Sequence, residues 1–450
     1  MATPKVIIIG GGFGGLTAAQ SLKKADATIS LYDRTNHHLF QPLLYQVATS
    51  ALSSSDIAQP IREILRNQKN CTVFMGEVEK IDTKSKTIFL KNGDKDTYDY
   101  LILAIGGIHS YFGNDQWAEF APGLKTLDDA LSIRERVLMA FEKAERCEST
   151  LEALSYLNFV IIGGGPTGVE MAGAIAEIAN KSMTKNFRKI RPQQAKIYLL
   201  EGAKYILPSY PPDLSLKAQR DLEKLGVHVF TETIVTGITE EGVWIGNRLQ
   251  PAHTVIWAAG NRGLPLAKTL NAPLDKMGRV LVEKDCSIPG DPNVFVIGDA
   301  ANFPSEEKDA NGNLQTRPLP GVAQVALQQG KFVAKIIERK IPSEGRTSFK
   351  YFDKGQMATI GKGKAIAMIG KLKMSGFLAW MAWSLIHIAY LVNFTNRFMV
   401  MAEWLFLFIT GHRNVRLIVH TFDVLPEKKE AAETTPLVAG HSESETIKKT

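Results

Sequence analysis

The chain has 450 residues and a formal net charge of +7 at pH 7, and this length predicts two or three domains rather than one core. Its three cysteines, Cys71, Cys147 and Cys286, lie far apart and form neither a CxxC nor a CxxxxC pair. The spacing indicates a reducing compartment and argues against a zinc site or a redox-active disulfide.

A strand, a glycine turn and a helix follow one another in KVIIIGGGFGGLTAAQSL. The apolar run ends in glycines and lacks a cleavage site, which predicts a buried strand rather than a signal peptide. Gly10, Gly12 and Gly15 fit G-x-G-x-x-G, whose second glycine lets a pyrophosphate approach the backbone. The next strand, TISLYD, ends at Asp33, twenty-three residues after Gly10, where an acid should bind a ribose.

The pattern repeats in LNFVIIGGGPTGVEMAGAIAEIA, with Gly163, Gly165 and Gly168. The following strand, AKIYLLE, ends at Glu201, thirty-eight residues after Gly163, so we expect an extra helical stretch at about residues 180–192. A carboxylate at this strand end repels a 2′-phosphate and favours NADH over NADPH, although nearby Lys204 would tolerate the phosphate.

Three further strands end in small residues: DYLILAIGG, TVIWAAGN and NVFVIGDAAN, the last ending in Gly298 and Asp299. The whole arrangement resembles the two-dinucleotide-binding-domain flavoproteins over roughly residues 4–340. The resemblance implies that the first unit holds FAD and the second, inserted unit holds the nicotinamide nucleotide. It also implies that Asp299 binds the flavin ribitol, whereas its ordinary interpretation is a helix N-cap.

The expected fold class is α/β, with two Rossmann-like dinucleotide-binding domains and a C-terminal membrane-associating helical segment. The expected cofactors are FAD and NADH, and no metal is expected. The residues expected to bind the cofactors are Gly10, Gly12, Gly14, Gly15, Asp33, Arg34, Val78, Gly298, Asp299, Gly163, Gly165, Gly168, Glu201 and Gly260.

The absence of paired cysteines narrows the possible classes of electron acceptor. The stretch NHHLFQPLLYQVATSAL contains no cysteine, which excludes disulfide reduction and counts against a sulfide:quinone reductase. Instead, HHLFQPLLYQVATSALSSSDIAQPIR resembles the corresponding region of bacterial type II NADH dehydrogenases, the single-subunit NADH:quinone oxidoreductases. GGGPTGVE, FVIGDAA and an A-Q-x-A-x-Q match at residues 323–328 extend that resemblance.

Three residues are the expected catalytic set. Gln324 and Gln328 lie four apart on a predicted helix and project from the same face; an isolated pair would ordinarily face water. The resemblance implies that both line a quinone pocket beside the flavin and that Glu170 sits by the nicotinamide. Thr167 and Glu170 also fit a capping box, and the two interpretations of Glu170 are compatible.

The expected function is FAD-dependent, non-proton-pumping oxidation of NADH with two-electron reduction of a membrane quinone, menaquinone or ubiquinone, in a respiratory chain. Two alternatives stay open. One is a flavin reductase with a soluble acceptor, and the other is a membrane-attached, NAD(H)-sensing flavoprotein that signals through a partner.

The positive charge is concentrated near the C-terminus. Residues 354–416 contain eight basic residues and one acidic residue, Glu403, so this segment carries the whole formal charge. Such a segment fits nucleic acid or an anionic membrane. The apolar sequence between the charges favours the membrane, and we expect no nucleic-acid partner.

Two apolar runs, 377–392 and 398–409, are short for a membrane span and contain His387 and Glu403. The two runs contain three tryptophans, Trp380, Trp383 and Trp404. Tryptophan favours the level of the lipid headgroups. We therefore expect two interfacial helices in one leaflet. The alternatives are a transmembrane hairpin and a soluble core or dimer interface.

The expected domains are an FAD-binding domain in two parts, 1–115 and 286–340, a connecting segment, 116–157, and an NADH-binding domain, 158–285. A membrane-anchoring region, 341–425, and a disordered tail, 426–450, follow. The protein is expected at the cytoplasmic face of a bacterial cell membrane, and a homodimer is left open.

Overall fold

The computed structural model describes residues 3–308 and 314–418, so the predicted tail 426–450 lies outside the described residues. The N-terminal part alternates strands with short helices. Its strands are Lys5–Ile9 (β1), Thr28–Asp33 (β2), His37–Leu39 (β3), Ala58–Pro60 (β4), Cys71–Met75 (β5), Val78–Asp82 (β6), Thr87–Leu90 (β7), Lys95–Thr97 (β8), Tyr100–Leu103 (β9) and Ile108–His109 (β10). Its helices are Phe13–Ser21 (α1), Leu44–Ala48 (α2), Ser54–Ile57 (α3) and Ile61–Leu65 (α4).

The middle part begins with two helices and continues with a second alternation of strands and helices. Its helices are Leu127–Arg146 (α5), Thr150–Tyr156 (α6), Pro166–Glu177 (α7) and Pro212–Glu223 (α8). Its strands are Asn158–Ile162 (β11), Lys196–Leu200 (β12), Val227–Phe230 (β13), Gly237–Thr239 (β14), Gly242–Ile245 (β15), Arg248–Pro251 (β16), Thr254–Trp257 (β17) and Asn261–Arg262 (β18).

The C-terminal part returns to the first sheet and then adds a small sheet and two helices. Its strands are Val280–Leu281 (β19), Ser287–Ile288 (β20), Asp291–Val296 (β21), Ala301–Asn302 (β22), Pro304–Lys308 (β23), Leu314–Pro318 (β24), Gln356–Gly361 (β25), Lys364–Ile369 (β26) and Leu372–Gly376 (β27). Its helices are Ala323–Glu338 (α9), Phe377–Tyr390 (α10) and Phe394–Thr410 (α11).

The first glycine turn follows the central strand of a six-stranded sheet with the order β20-β21-β9-β1-β2-β5. The strands from β21 to β5 are parallel, and β20 pairs antiparallel with β21. Val6, Ile7 and Ile8 are completely buried. A continuous apolar strand is what a parallel sheet covered on both faces requires, which explains the run VIIIG.

The second glycine turn follows the strand β11 of a four-stranded parallel sheet with the order β13-β12-β11-β17. A separate antiparallel sheet, β14-β15-β16, packs beside it. The two predicted Rossmann-like domains are therefore confirmed. Each has its own hydrophobic core, one centred on β1 and the other on β11.

The extra segment between α7 and β12 is less helical than predicted. It contains one π-helical turn, Ile178–Ser182, and a short 3-10 turn, Pro192–Gln194. The predicted helix is wrong for residues 183–191, which form turns and bends. The Glu145 carboxylate accepts hydrogen bonds from the backbone N–H groups of residues 188–190, so these groups are satisfied without a helix.

The chain returns to the first domain earlier than the boundary expected at residue 285. Strand β18 pairs antiparallel with β10, and these two strands link the domains. Ala267, Leu270, Val280 and Val282 then pack in the core of the first domain. The packing favours a boundary near residue 262, and the other expected boundaries stay predictions.

The two predicted apolar runs form α10 and α11. Both helices expose one apolar face, made of Phe377, Leu378, Met381, Leu385, Ile386, Tyr390, Phe394, Phe398, Met399, Met401, Leu405, Phe406 and Ile409. Within the described residues, neither these helices nor any other has the length and apolar character needed to cross a bilayer.

The inner faces of α10 and α11 carry residues that the sequence placed at a membrane surface. Trp383 and Trp404 are buried, with ring centroids 5.1 Å apart, so their predicted headgroup position is wrong. Their large rings hold the two helices together and against the protein. His387 Nδ1 hydrogen-bonds the Trp383 carbonyl at 2.7 Å, and the Asn396 amide donates to the carbonyls of Ser55 and Asp56.

Candidate active site

Both glycine turns are closed by the acid that ends the neighbouring strand. Gly10 and Gly163 have φ angles of 101° and 108°, a left-handed backbone that glycine adopts without strain. In the first unit the Gly11 N–H donates to Asp33 Oδ2 at 2.6 Å. In the second unit the Gly164 N–H donates to Glu201 Oε2 at 2.6 Å. Asp33 and Glu201 therefore fix the turns as well as ending the strands.

The other motif glycines fit a bound dinucleotide. A Cβ on Gly15 would lie 1.9 Å from the Gly10 carbonyl oxygen, and one on Gly168 would lie 1.8 Å from that of Gly163. A Cβ on Gly12 or Gly165 would meet nothing within 4 Å. This open side at a helix N-terminus is where backbone N–H groups receive a pyrophosphate, so both turns suit that group.

A cavity of about 210 Å³ lies between the N-terminal end of α9, the turn at Gly298 and Asp299, and parts of the segment 261–279. Gly298, Asp299, Gly321, Val325 and Gln329 are among its lining residues. Asp299 lies inside a 3-10 turn whose N-cap is Ile297, so the N-cap interpretation of Asp299 is wrong. Its carboxylate faces the cavity beside the Lys125 ammonium, 3.7 Å away.

Gln329 is a site residue that the sequence analysis missed. Its side chain is 1% exposed, and its Oε1 accepts a hydrogen bond from the Gly298 N–H at 2.8 Å. Its buried Nε2 has no hydrogen-bond partner among the described residues. Such an orphaned donor beside Asp299 fits a ligand that carries acceptor atoms, as FAD does. The signal was available, because Gln329 lies four residues from Val325 and from Val333, within the apolar stripe of the helix.

The two predicted quinone-site glutamines both lie on α9, but their amides contact protein groups. The Tyr390 hydroxyl of α10 accepts a hydrogen bond from the Lys354 ammonium, which lowers the pKa of Tyr390, and the nearby Gln324 amide lowers it further. Gln328 Nε2 donates to the Phe352 carbonyl at 2.9 Å, and its Oε1 accepts from the Phe352 N–H at 3.0 Å. Both side chains therefore face the C-terminal region. The Gln328 amide is committed to the backbone, and the quinone contacts of both residues stay predictions.

Glu170 lies in the first turns of α7, but it is not part of a capping box. The helix begins at Pro166 and its N-cap is Gly165, so Thr167 is already helical and the capping interpretation is wrong. Burial raises the pKa of Glu170 to about 8, while a hydrogen bond from the Thr359 backbone lowers it. Part of its surface remains accessible.

A chain of buried polar groups joins the surroundings of Glu170 to α11. The Tyr45 hydroxyl, whose pKa burial and the Glu170 charge raise, lies 3.2 Å from Thr359 Oγ1. Gln46 Nε2 donates to Tyr45 Oη at 3.0 Å, and Trp404 Nε1 donates to Gln46 Oε1 at 2.7 Å. Tyr45 and Gln46 belong to the HHLFQPLLYQ stretch, whose role as a bridge to the C-terminal helices no local pattern indicates.

The four remaining residues that the sequence predicted to bind a cofactor differ in their surroundings. Gly14 is packed against Ile297, because its Cβ would lie 3.0 Å from Ile297 Cδ1. Arg34 is exposed immediately after Asp33. The Val78 side chain is buried in the first core, so only its backbone can reach a ligand. Gly260 lies between β17 and β18, with a φ angle of 72°.

Comparison with known proteins identifies the family. Residues 4–330 match the family model of pyridine nucleotide-disulphide oxidoreductases, and residues 354–413 match that of the NDH2 C-terminal domain. The chain is 44% identical over 417 residues to the type II NADH:quinone oxidoreductase NdhA of Mycobacterium tuberculosis, covering 89% of this chain and 86% of that protein. It belongs to the type II NADH:quinone oxidoreductase family.

A second relative agrees with this assignment, and a solved structure has the same fold. Ndh of Mycobacterium tuberculosis is 43% identical, over 91% of this chain and 89% of its own. The solved structure of NDH2 from Plasmodium falciparum in complex with NADH has a TM-score of 0.83 at 22% identity, covering 92% of this chain and 100% of that one. The type II resemblance seen in HHLFQPLLYQ and A-Q-x-A-x-Q is thus confirmed.

Proposed function

We propose that this protein oxidises NADH and reduces a membrane quinone by two electrons, using FAD and pumping no protons. The observation that carries the proposal is near full-length similarity, at 44% identity, to a type II NADH:quinone oxidoreductase. The two acid-closed glycine turns and the cavity at Asp299 supply sites for both nucleotides.

When bound at the first unit, FAD would supply the redox chemistry, which is hydride acceptance from NADH and electron transfer to an acceptor. The protein contributes binding and orientation. Asp33 and Glu201 would accept hydrogen bonds from ribose hydroxyls, and the turns beside Gly12 and Gly165 would bind the pyrophosphates. Asp299 and the Gln329 Nε2, which has no partner among the described residues, would hold polar groups of the flavin nucleotide at the cavity.

Glu170 is the residue suited to hold a proton. With a pKa of about 8, its carboxyl is protonated at neutral pH, and its oxygen can donate that proton when a neighbouring group becomes basic. Reduction of a quinone to a quinol consumes two protons. We therefore assign Glu170 as a proton donor on the acceptor side, in addition to its expected place by the nicotinamide.

Attachment to the membrane occurs through α10 and α11, because their common outer face is apolar and their inner face is anchored by Trp383 and Trp404. Gln324 reaches Tyr390 of α10, so the predicted quinone residues lie beside the membrane-facing helices. A quinone can then enter from the bilayer. Attachment to the cytoplasmic face is part of this proposal, and a homodimer stays a prediction.

The test is anaerobic and separates the two half-reactions. NADH added to the purified protein should decrease the flavin absorbance, and a short-tailed quinone should then restore it over repeated cycles. Recovery with a soluble dye but with no quinone would contradict the proposal. A single decrease followed by slow reoxidation, even with quinone present, would favour a sensor.

A further inference from the structure

The surface between the extra segment of the second unit and the end of α11 contains an open cleft of about 420 Å³. Six of its lining residues define what we call the lysine cleft: Lys181, Lys185, Lys362, Ile409, Thr410 and His412. Its lining, as far as the described chain forms it, contains no Asp or Glu. The cleft shares no lining residue with the cavity at Asp299.

The positive charge of the lysine cleft is not balanced by the nearest acid. Glu177 accepts hydrogen bonds from the Lys362 N–H at 2.6 Å and from buried Arg413 at 3.2 Å. Lys181 reaches Glu177 only at 4.0 Å, with 46% of its side chain exposed. Arg413 therefore neutralises Glu177, and the three lysine ammonium groups remain as surplus charge. Converging like charges repel, and a bound anion would relieve that repulsion.

The walls of the cleft are fixed rather than loose. Ser182 Oγ donates to the Gly411 carbonyl at 3.0 Å, and Arg416 donates to the Ser182 carbonyl at 3.2 Å. The Lys362 ammonium lies 4.6 Å from the centre of the Phe408 ring, which holds it by a cation–π contact. These links join the π-helical turn of the second unit to the last turn of α11.

One wall of the cleft continues into the apolar face of α11. Ile409 lines the cleft and is also 73% exposed. Leu405 and Phe406 lie on the preceding turn and are exposed as well. A ligand that combines an anionic head with apolar chains matches both surfaces, since the head can meet the lysines while the chains run along the helix.

We infer that the lysine cleft binds the phosphate headgroup of an anionic phospholipid whose acyl chains lie along α11. The inference rests on the proposed membrane contact of α10 and α11 and adds a specific site to it. The headgroup anchors the extra segment of the NADH-binding domain to the bilayer surface, so the membrane holds both the helices and the domain that receives NADH.

The test compares binding of the FAD-loaded protein to phosphatidylcholine vesicles and to phosphatidylcholine–phosphatidylglycerol vesicles by co-sedimentation. The wild type should prefer the anionic vesicles. Lys181→Gln with Lys185→Gln should lower the affinity for anionic vesicles roughly ten- to thirtyfold, because each surface lysine contributes about 1 kcal/mol. Binding to neutral vesicles should not change. NADH oxidation with a water-soluble quinone should also stay at the wild-type rate, which checks the fold.

Lys364→Gln with Lys371→Gln is the matched control, because it removes the same charge from two lysines of the basic segment 354–416 that lie outside the cleft. It should lower the affinity for anionic vesicles less than about threefold. Equal losses in both double variants would overturn the site in favour of diffuse attraction. Loss of the wild-type preference on adding inorganic phosphate at constant ionic strength would also overturn the lipid assignment.

Binding to neutral vesicles tests a different proposal, the apolar contact of α10 and α11 with the bilayer. If the wild type failed to bind them, the apolar contact of α10 and α11 would be wrong, whereas the preference for phosphatidylglycerol would still decide the lysine cleft. Equal affinity of the wild type for both vesicle types would overturn the cleft while leaving the NADH:quinone activity untouched.

Discussion

The two dinucleotide units have the same local structure and differ in what surrounds it. Each has a left-handed first glycine and a 2.6 Å hydrogen bond from the following glycine to the acid of the next strand. In each, the third glycine touches the carbonyl of the first. This local structure positions a nucleotide but does not specify which one. The neighbouring elements make that distinction.

The first difference lies in the elements that cover the two nucleotide helices. Helix α1 is covered by α9, where a Cβ on Gly330 would lie 2.5 Å from the Gly14 carbonyl oxygen. Helix α7 is covered by β25. A Cβ on Gly173 of α7 would lie 1.9 Å from the carbonyl oxygen of Ile360 in β25. The first unit therefore borders the glutamine helix, and the second borders the C-terminal sheet.

The second difference lies two residues after the last motif glycine. The first unit has Thr17 there, and the second has Glu170. A third difference is the longer connection in the second unit, thirty-eight residues against twenty-three between first glycine and acid. The additional residues form a wall of the lysine cleft. The two units therefore share the same turn and differ in the functional groups around it.

The largest expected effect comes from blocking each turn separately. Gly12→Ala and Gly165→Ala place a methyl group where nothing lies within 4 Å, in backbone conformations that alanine adopts, so only the pyrophosphate should be obstructed. Gly12→Ala should yield a folded protein without FAD. The methyl group should weaken FAD binding by more than about 3 kcal/mol, or a hundredfold. Gly165→Ala should stay yellow but require far more NADH for flavin reduction.

Absorbance spectra of the purified variants and NADH titrations measure both effects, and circular dichroism checks the fold. The reverse pattern, a yellow Gly12→Ala protein and a colourless Gly165→Ala protein, would exchange the assignments of the two units.

The comparison of the units also shows what the sequence could predict. Buried parallel strands are continuous apolar runs, so β1, β11 and the two domains were recognisable from residues such as Val6, Ile7 and Ile8. The acids Asp33 and Glu201 were recognisable because each ends the apolar strand that follows a glycine turn. These features are local, and local rules describe them well.

Features that depend on distant packing were missed or wrongly predicted. Trp383 and Trp404 resemble interfacial residues in sequence, but the tertiary contacts between α10, α11 and α2 bury them. Thr167 and Glu170 fit a capping box, but Gly165 and Pro166 begin the helix earlier. The Gln328 amide forms hydrogen bonds with the backbone of Phe352, twenty-four residues away. No periodicity in the sequence reveals such a partner.

Glu170→Gln removes the ionisable group that the second unit carries where the first unit has Thr17. If the Glu170 proton is donated during quinone reduction, the variant should reduce quinone roughly a hundredfold more slowly at pH 7, the low end of general-acid contributions. Flavin reduction by NADH should change much less. Stopped-flow absorbance separates the two steps, and equal rates of quinone reduction in both proteins would remove Glu170 from the acceptor side.

The same variant should change how stability depends on pH. The folded protein holds the Glu170 proton up to a pKa of about 8, against an ordinary value of 4.5. The folded state then binds more protons than the unfolded state between these values, so this contribution is lost as pH rises through about 8. From pH 5 to pH 9, urea unfolding should show Glu170→Gln gaining roughly 4 kcal/mol relative to the wild type.

Gln324→Ala tests whether α9, the neighbour of the first unit, belongs to the acceptor site. Loss of one hydrogen-bonding amide should raise the KM for quinone roughly tenfold, or about 1.4 kcal/mol, while flavin reduction by NADH keeps its rate. Gln328→Ala is the paired variant. Because its amide already bonds the Phe352 backbone, it should lower the free energy of unfolding by about 1 kcal/mol and change KM less. Unchanged KM in both would remove the quinone assignment.

The smallest expected effect concerns the acids themselves. Glu201→Gln keeps an oxygen that can accept the Gly164 N–H but removes the charge that repels a 2′-phosphate. That repulsion is about 1 kcal/mol at a solvated site, so the preference for NADH over NADPH should fall roughly fivefold. Steady-state kinetics with both nucleotides measures it. Asp33→Asn makes the same change in the first unit and should leave the preference unaltered, because the units are alike in geometry but bind different nucleotides. A change of preference in Asp33→Asn, with none in Glu201→Gln, would mean that NADH binds at the first unit.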